Sequence, residues 1–168
     1  MLELLDTQLE ALARAQDETG INAWVMAPMI ATPAEARDFA TAARAKGLTM
    51  VGVMVEIPAA ALRAREILAE VDFVSLGTND LAQYTMATDR TLGELGDLLD
   101  PWQPAVLDLI ATTAQAGLDL GKPVGVCGES ASDPLLALVL AGFGATTLSM
   151  SASAVPAGHQ RAGLAFQL

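Results

Sequence analysis

The sequence is poor in positive charge: nine lysines and arginines stand against 20 aspartates and glutamates, a formal net charge of -11. Neutralising a phosphate backbone needs clustered basic residues, so a large nucleic-acid surface is excluded. A single cysteine, Cys127, rules out an internal disulfide and a cysteine-rich zinc site, leaving a small buried side chain or a reactive thiol. No uninterrupted apolar stretch approaches the roughly 18 residues of a membrane span, and the start, Met1-Leu2-Glu3-Leu4-Leu5-Asp6, lacks the basic region of a signal peptide. These features predict a soluble, cytoplasmic protein. What is abundant is apolar matter: 52% hydrophobic residues, 17% charged and a mean hydropathy of +0.41 over 168 residues, enough for one ordinary domain with a sizeable core.

Helical and strand patterns alternate along the chain. Leu2, Leu5, Leu9 and Leu12 have helical spacing over residues 2–18, and 22–29 is a short apolar run. Thr32-Pro33-Ala34-Glu35 is a capping box with proline at the first helical position, predicting a helix to Lys46 stopped by Gly47. Strands are predicted at 50–56, 72–78, 123–129 and 146–151, with helices at 59–70, 80–86 and 104–120, another after Asp133-Pro134 ending near Gly142, and a last one after Pro156. Residues 87–101 read as a surface excursion. The total is five strands and about seven helices.

Strand parity separates two faces. Val51, Val53 and Val55 alternate with Gly52, Met54 and Glu56; Val74 and Leu76 with Ser75, Gly77 and Asn79; Val124 and Val126 with Gly125, Cys127 and Glu129. An open doubly wound sheet would be bulky and aliphatic on both sides, whereas a barrel needs one face small or polar towards its axis. The expectation is an α/β fold with five parallel strands of a partial (β/α)₈ barrel, because eight strands take about 250 residues. Unpaired sheet edges would then need covering, by another copy, by terminal helices or by a further chain segment.

In such a barrel chemistry sits at the C-terminal strand ends, here Glu56, Asn79 with Asp80, and Cys127 with Glu129. Neighbouring strands lie about 4.8 Å apart, so Glu56 and Asp80 are within reach of one hard cation such as Mg²⁺. The competing reading makes Asn79 or Asp80 the N-cap of the short helix; it does less for Glu56, whose carboxylate would be costly to bury unpaired. Arg90 is one of seven arginines and could clamp a phosphate or carboxylate, or pair with Asp89 or Glu94 on the surface. Cys127 is either a buried small hydrophobe or faces the barrel mouth. Gly77, Gly125 and Gly128 allow close approach of a ligand or tight turns. His159 is expected to be exposed without a role; Trp24, Trp102, Tyr84, Met26, Met29, Met50, Met54, Met86 and Met150 are expected to pack.

The strings Gly52-Val53-Met54-Val55-Glu56-Ile57-Pro58-Ala59-Ala60, Ser75-Leu76-Gly77-Thr78-Asn79-Asp80-Leu81-Ala82-Gln83-Tyr84-Thr85 with Asp89-Arg90, and Val126-Cys127-Gly128-Glu129 closely resemble the phosphoenolpyruvate-binding barrel of enzyme I of the bacterial sugar phosphotransferase system. Met26-Ala27-Pro28-Met29, Pro101-Trp102-Gln103-Pro104 and Leu148-Ser149-Met150-Ser151 fit the same family. Pyruvate phosphate dikinase and phosphoenolpyruvate synthase share the core pattern, but Gln83-Tyr84-Thr85 through Asp89-Arg90 is closer to enzyme I. The resemblance implies Glu56 and Asp80 as Mg²⁺ ligands, Asn79 and Arg90 as contacts to the phosphate of phosphoenolpyruvate, and Cys127 as the acid that protonates the enolate to pyruvate.

It also implies transfer of the phosphoryl group to a histidine on a separate N-terminal domain and thence to a small carrier protein, and dimerisation through the barrel. The family's first three barrel strands with their arginines, and the histidine domain, have no counterpart here, so the chain alone is expected not to complete the reaction. A non-enzymatic association module and a Mg²⁺-dependent lyase or aldolase on a pyruvate-like acid are the alternatives.

Overall fold

The computed structural model describes residues 2–89, 91 and 93–156. Elements alternate: α1 (Leu2–Thr19), β1 (Trp24–Ala27), α2 (Pro33–Ala45), β2 (Met50–Val55), α3 (Pro58–Leu62), α4 (Ala64–Glu70), β3 (Phe73–Gly77) and α5 (Thr78–Thr85). A 3₁₀ helix (Gly93–Leu99), α6 (Pro104–Leu120), β4 (Val124–Cys127), α7 (Glu129–Ser132), α8 (Leu136–Phe143) and β5 (Thr147–Leu148) complete them. The helix expected after Pro156, with His159, lies outside the described residues.

All strand pairs are parallel and the order is β1-β2-β3-β4-β5, the order of the chain itself. A doubly wound sheet reverses its strand order at a switch point; strict succession is the winding of a (β/α) barrel. The outer layer agrees, since α2 packs on α4, α4 on α6 and α6 on α8. Under those helices Val51, Val53, Val55, Val74, Leu76, Val126 and Leu140 are wholly buried, joined by Ala36, Ala40 and Ala43, whose small side chains let α2 approach the sheet. Among the described residues the fold is thus five consecutive parallel strands with the winding of a (β/α) barrel.

Local chemistry explains several boundaries. Thr32 accepts the Glu35 N–H while the Glu35 carboxylate accepts the Thr32 N–H, the reciprocal pairing that opens α2. The Ala31 N–H donates to the same carboxylate, and with the Thr32 N–H it lowers the Glu35 pKa. Gly47, at φ 90, follows the last turn, and Gly121 closes α6 in the left-handed region at φ 63. Lys122, just beyond, donates its Nζ to the carbonyls of Leu68 (2.5 Å) and Val71 (2.7 Å), satisfying the C-terminal end of α4 from the next crossover. Lys122→Met is expected to cost about 2 kcal/mol by stranding two carbonyls that now accept from a cation; urea unfolding of the two proteins measures it.

Three expectations need correction. The helix read over 59–70 is two, because the backbone at Arg63 (φ -116, ψ 22) breaks the ladder and re-aims Ala64, Ile67 and Leu68 into the core. The helix read from Asp80 starts at Thr78, directly on the last residue of β3. Between β4 and Asp133 lies an additional turn of helix, α7. Asp133 still caps the start of α8, its carboxylate accepting the N–H groups of Leu135 and Leu136.

Candidate functional site at the C-terminal strand ends

The ladder fixes which side chains share a level. Gly77 of β3 is opposite Cys127 of β4, and Val55 of β2 is opposite Leu76, so the next residue, Glu56, stands opposite Gly77. One level below run Met54, Ser75, Gly125 and Thr147, and below that Met26, Gly52 and Phe73. All point away from the helical layer. Glycine on this face makes room for neighbours: a Cβ on Gly52 would meet the Phe73 ring at 2.6 Å, and one on Gly77 would meet Glu56 Oε2 at 2.5 Å. Trp24 packs on Phe73 with ring centroids 4.9 Å apart.

Trp24 and Met26 are nevertheless 51% and 45% exposed, and Met29, Tyr84 and Trp102 are similarly open, which corrects the expectation that they serve only as packing. For Trp24 and Met26 the reason is the open sheet: among the described residues no strand closes over their side of it. Trp102 donates its indole N–H to the Asp133 carboxylate, 3.1 Å away.

Glu56 is 3% exposed, and its Oε1 accepts the N–H of Met29, 2.8 Å away in the β1–α2 loop. Its role as a capping or surface residue is therefore excluded. Asn79 does not cap its own helix, whose N-cap is Gly77 without any side-chain bond; instead its Oδ1 accepts the N–H of Glu129 at 2.9 Å. With Oδ1 engaged there, the amide's donor end, Nδ2, is the one left for a partner. Asp80 sits in the first turn of α5, where the helix dipole favours a carboxylate. Thr78, 2% exposed, donates to the Cys127 carbonyl at 2.8 Å. Two bonds from the start of α5 thus clamp the turn Cys127-Gly128-Glu129.

Cys127 is half-buried and donates its Sγ–H to the Leu76 carbonyl, 3.3 Å. Burial pushes its pKa up; a hydrogen bond from Ser75 pulls it back, and the negative charges of Glu56 and Asp80 add to the rise. Glu56, opposite Gly77, and Cys127, paired with Gly77 on the other side, flank the same residue of β3, and Asp80 follows three residues later in the first turn of α5. The thiol is consequently a proton holder at neutral pH. Alkylation by iodoacetamide is expected to be slow at pH 8 and to accelerate only above the range of a free thiol, with Glu56→Gln moving the profile to lower pH because one opposing charge is gone; rate against pH measures both.

Among the described residues no three His, Cys, Asp or Glu side chains converge into a metal-holding group. Two carboxylates remain a fit for Mg²⁺, which takes one or two of them and fills its sphere with substrate oxygens and water. Beside the strand ends lies a small cavity of about 50 Å³ lined by Thr78, Asn79, Ala82, Leu99, Glu129 and Ser130 among others.

Comparison with known proteins places the chain in a family. The family model described as "PEP-utilising enzyme, PEP-binding domain" matches residues 1–164. The chain belongs to the PEP-utilising enzymes. Similar members are the phosphoenolpyruvate-protein phosphotransferases of Streptomyces coelicolor, 57% identical over 164 residues, and of Latilactobacillus sakei, 44% identical over 165. The alignments cover 97% and 91% of this chain but only 29% and 28% of those proteins. That of Bacillus subtilis is 42% identical over 171 residues, covering 91% of this chain and 29% of its own length. The chain therefore spans less than a third of the length of the relatives it matches. Among solved structures, a citrate lyase from Burkholderia xenovorans superposes with a TM-score of 0.63 at 19% identity, covering 83% of this chain and 48% of that one, a likeness of fold.

Of the residues the sequence singled out, Glu56, Asn79, Asp80 and Cys127 stand at the C-terminal ends of three adjacent strands, and Arg90 lies outside the described residues. Nearby, Asp89 accepts from both the N–H and the hydroxyl of Thr91. Sequence reading missed the Met29 N–H on Glu56 and the Thr78 hydroxyl on Cys127. Both bonds use a backbone group, which leaves no residue pattern to read.

Proposed function

We propose that the chain is the phosphoenolpyruvate-binding part of a phosphoenolpyruvate-protein phosphotransferase, acting on phosphoenolpyruvate with Mg²⁺. The observation that supports this most is the placement of Glu56, Asp80, Asn79 and Cys127 at the ends of three adjacent strands in a member of the PEP-utilising enzymes. Glu56 and Asp80 would hold the cation, whose positive charge would offset the charge on the phosphoryl oxygens. Asn79, with Oδ1 occupied by the Glu129 N–H, would turn its Nδ2 donor to the phosphate, and Arg90 would pair with the same group.

Cys127 would deliver its proton to the methylene carbon of the enolate as the phosphorus–oxygen bond breaks, giving pyruvate. A thiol kept protonated by burial and by two carboxylates suits that step, and the Leu76 carbonyl would hold the proton until then. The phosphoryl group would pass to a histidine borne by another part of the protein, and from there to a phosphocarrier, so this chain alone would bind without turning over. The resemblance further implies a homodimer working in the cytoplasm, and no helix among the described residues is long and apolar enough to cross a membrane. The test is calorimetric titration of the chain with phosphoenolpyruvate in the presence and absence of MgCl₂. Saturable heat that needs Mg²⁺ supports the reading; none at millimolar ligand would favour a non-enzymatic association module.

A further inference from the structure

The loop joining β1 to α2 contains a residue with an unusual backbone, and that residue touches Glu56. Met29 has φ 55, in the left-handed region that glycine enters freely and a long side chain enters at a cost. Before it stands Pro28, with φ fixed by its ring; after it Ile30 is buried at 8% exposure, and Thr32 already opens α2. The chain must leave the strand, reverse and bury Ile30 within three residues, and the left-handed step makes that reversal. The methionine side chain does not explain the strain, because it is 44% exposed. What the turn secures lies on the backbone: the Met29 N–H reaches Glu56 Oε1 at 2.8 Å. The other oxygen, Oε2, lies over Gly77, on the side of β3 and β4 that carries Asp80 and Cys127.

We infer that Met29 is a positioning residue for the divalent-cation site: its left-handed backbone aims an N–H at Glu56 Oε1 and thereby presents Oε2 to the cation. The inference rests on the metal reading of Glu56 and Asp80 under the proposed function. A backbone amide suits the task because it orients a carboxylate without cancelling its charge, as an arginine or lysine would. Strained residues persist where the surroundings hold them, and they gather at ligand sites for this kind of pre-organisation. Partners that orient a ligating side chain also carry a known penalty when lost, about 10- to 100-fold in metal affinity.

The experiment titrates the 168-residue chain with Mn²⁺ alone, reading free Mn²⁺ by electron paramagnetic resonance, for the wild type, Met29→Gly and Met29→Val. Glycine keeps the N–H and takes the left-handed conformation freely, so Met29→Gly is expected to bind within about twofold of wild type. Valine is β-branched and resists that conformation, so Met29→Val is expected to bind about tenfold more weakly. If Met29→Val does not fold, the α-hydroxy-acid analogue of methionine at position 29, which replaces only the N–H by oxygen, carries the same expectation. Alongside, hydrogen exchange of the Met29 amide in metal-free protein is expected to be slow in the wild type and faster in Glu56→Ala, while amides elsewhere in β1 and β2 keep their rates. Wild-type Mn²⁺ affinity in Met29→Val, or equal losses in the glycine and valine variants, would overturn the positioning role. Absence of Mn²⁺ binding by the wild type would instead sink the metal reading, and this inference with it.

Discussion

Glu56→Gln is expected to abolish Mg²⁺-dependent binding of phosphoenolpyruvate, lowering affinity by at least about 100-fold. The substitution keeps the shape of the side chain and an oxygen that can still accept the Met29 N–H, so the fold has every reason to survive. What it removes is the negative charge, and a neutral amide is a poor ligand for a hard cation that dehydrates reluctantly. Asp80→Asn should act in the same direction, and the double variant should lose little more than either alone, because both act through one ion. Calorimetry decides: retention of Mg²⁺-dependent heat in Glu56→Gln would mean that this carboxylate is structural.

Gly128→Ala is expected to destabilise the chain by about 3 kcal/mol and to disturb the site at the same time. At φ 89 and ψ -167 the residue occupies a region essentially reserved for glycine. A Cβ there would also meet Asn79 Oδ1 and Thr78 Oγ1, both at 2.7 Å. Neither atom can step aside cheaply, since Asn79 Oδ1 holds the Glu129 N–H and Thr78 Oγ1 holds the Cys127 carbonyl. Gly142→Ala is the matched control: it lies in α8 with no atom outside its own helix within 4 Å of an added Cβ, and should gain roughly 0.5–1 kcal/mol. Thermal and urea unfolding of the three proteins measure the contrast; equal stability of Gly128→Ala and wild type would refute the clamp.

The strand-forming parts of the chain were legible because two physical demands differ in kind. Val51, Val53 and Val55 must face helices and Gly52, Met54 and Glu56 must not, so a period of two survives in the sequence, and with it the barrel. The Thr32-Glu35 box and the glycines at 47 and 121 marked helix ends for the same reason: an orphaned N–H or a positive φ calls for particular residues. The break at Arg63 was invisible, since nothing in Leu62-Arg63-Ala64 disfavours helix and only packing of Ala64 and Leu68 imposes it. The start of α5 was misplaced because Gly77 serves as N-cap without a side chain, so the residues with capping chemistry, Asn79 and Asp80, drew attention two positions too late.

The candidate site was legible as polar residues ending apolar strands. Its supporting bonds were not, because the Met29 N–H and the Cys127 carbonyl belong to the backbone, which nearly every residue supplies, and only the fold selects these two. Gly77 and Gly128 looked alike in the sequence; the structure separates them, the first leaving space for a carboxylate, the second turning the chain where no side chain can go.

The central claim is that Glu56 and Asp80 share one divalent ion. Crystals of the chain grown with Mn²⁺ and phosphoenolpyruvate, measured at the manganese absorption edge, test it directly. The account predicts one anomalous peak within inner-sphere distance, about 2.0–2.3 Å, of an oxygen from each of the two carboxylates. A peak bound elsewhere, or touching only one of them, would contradict it.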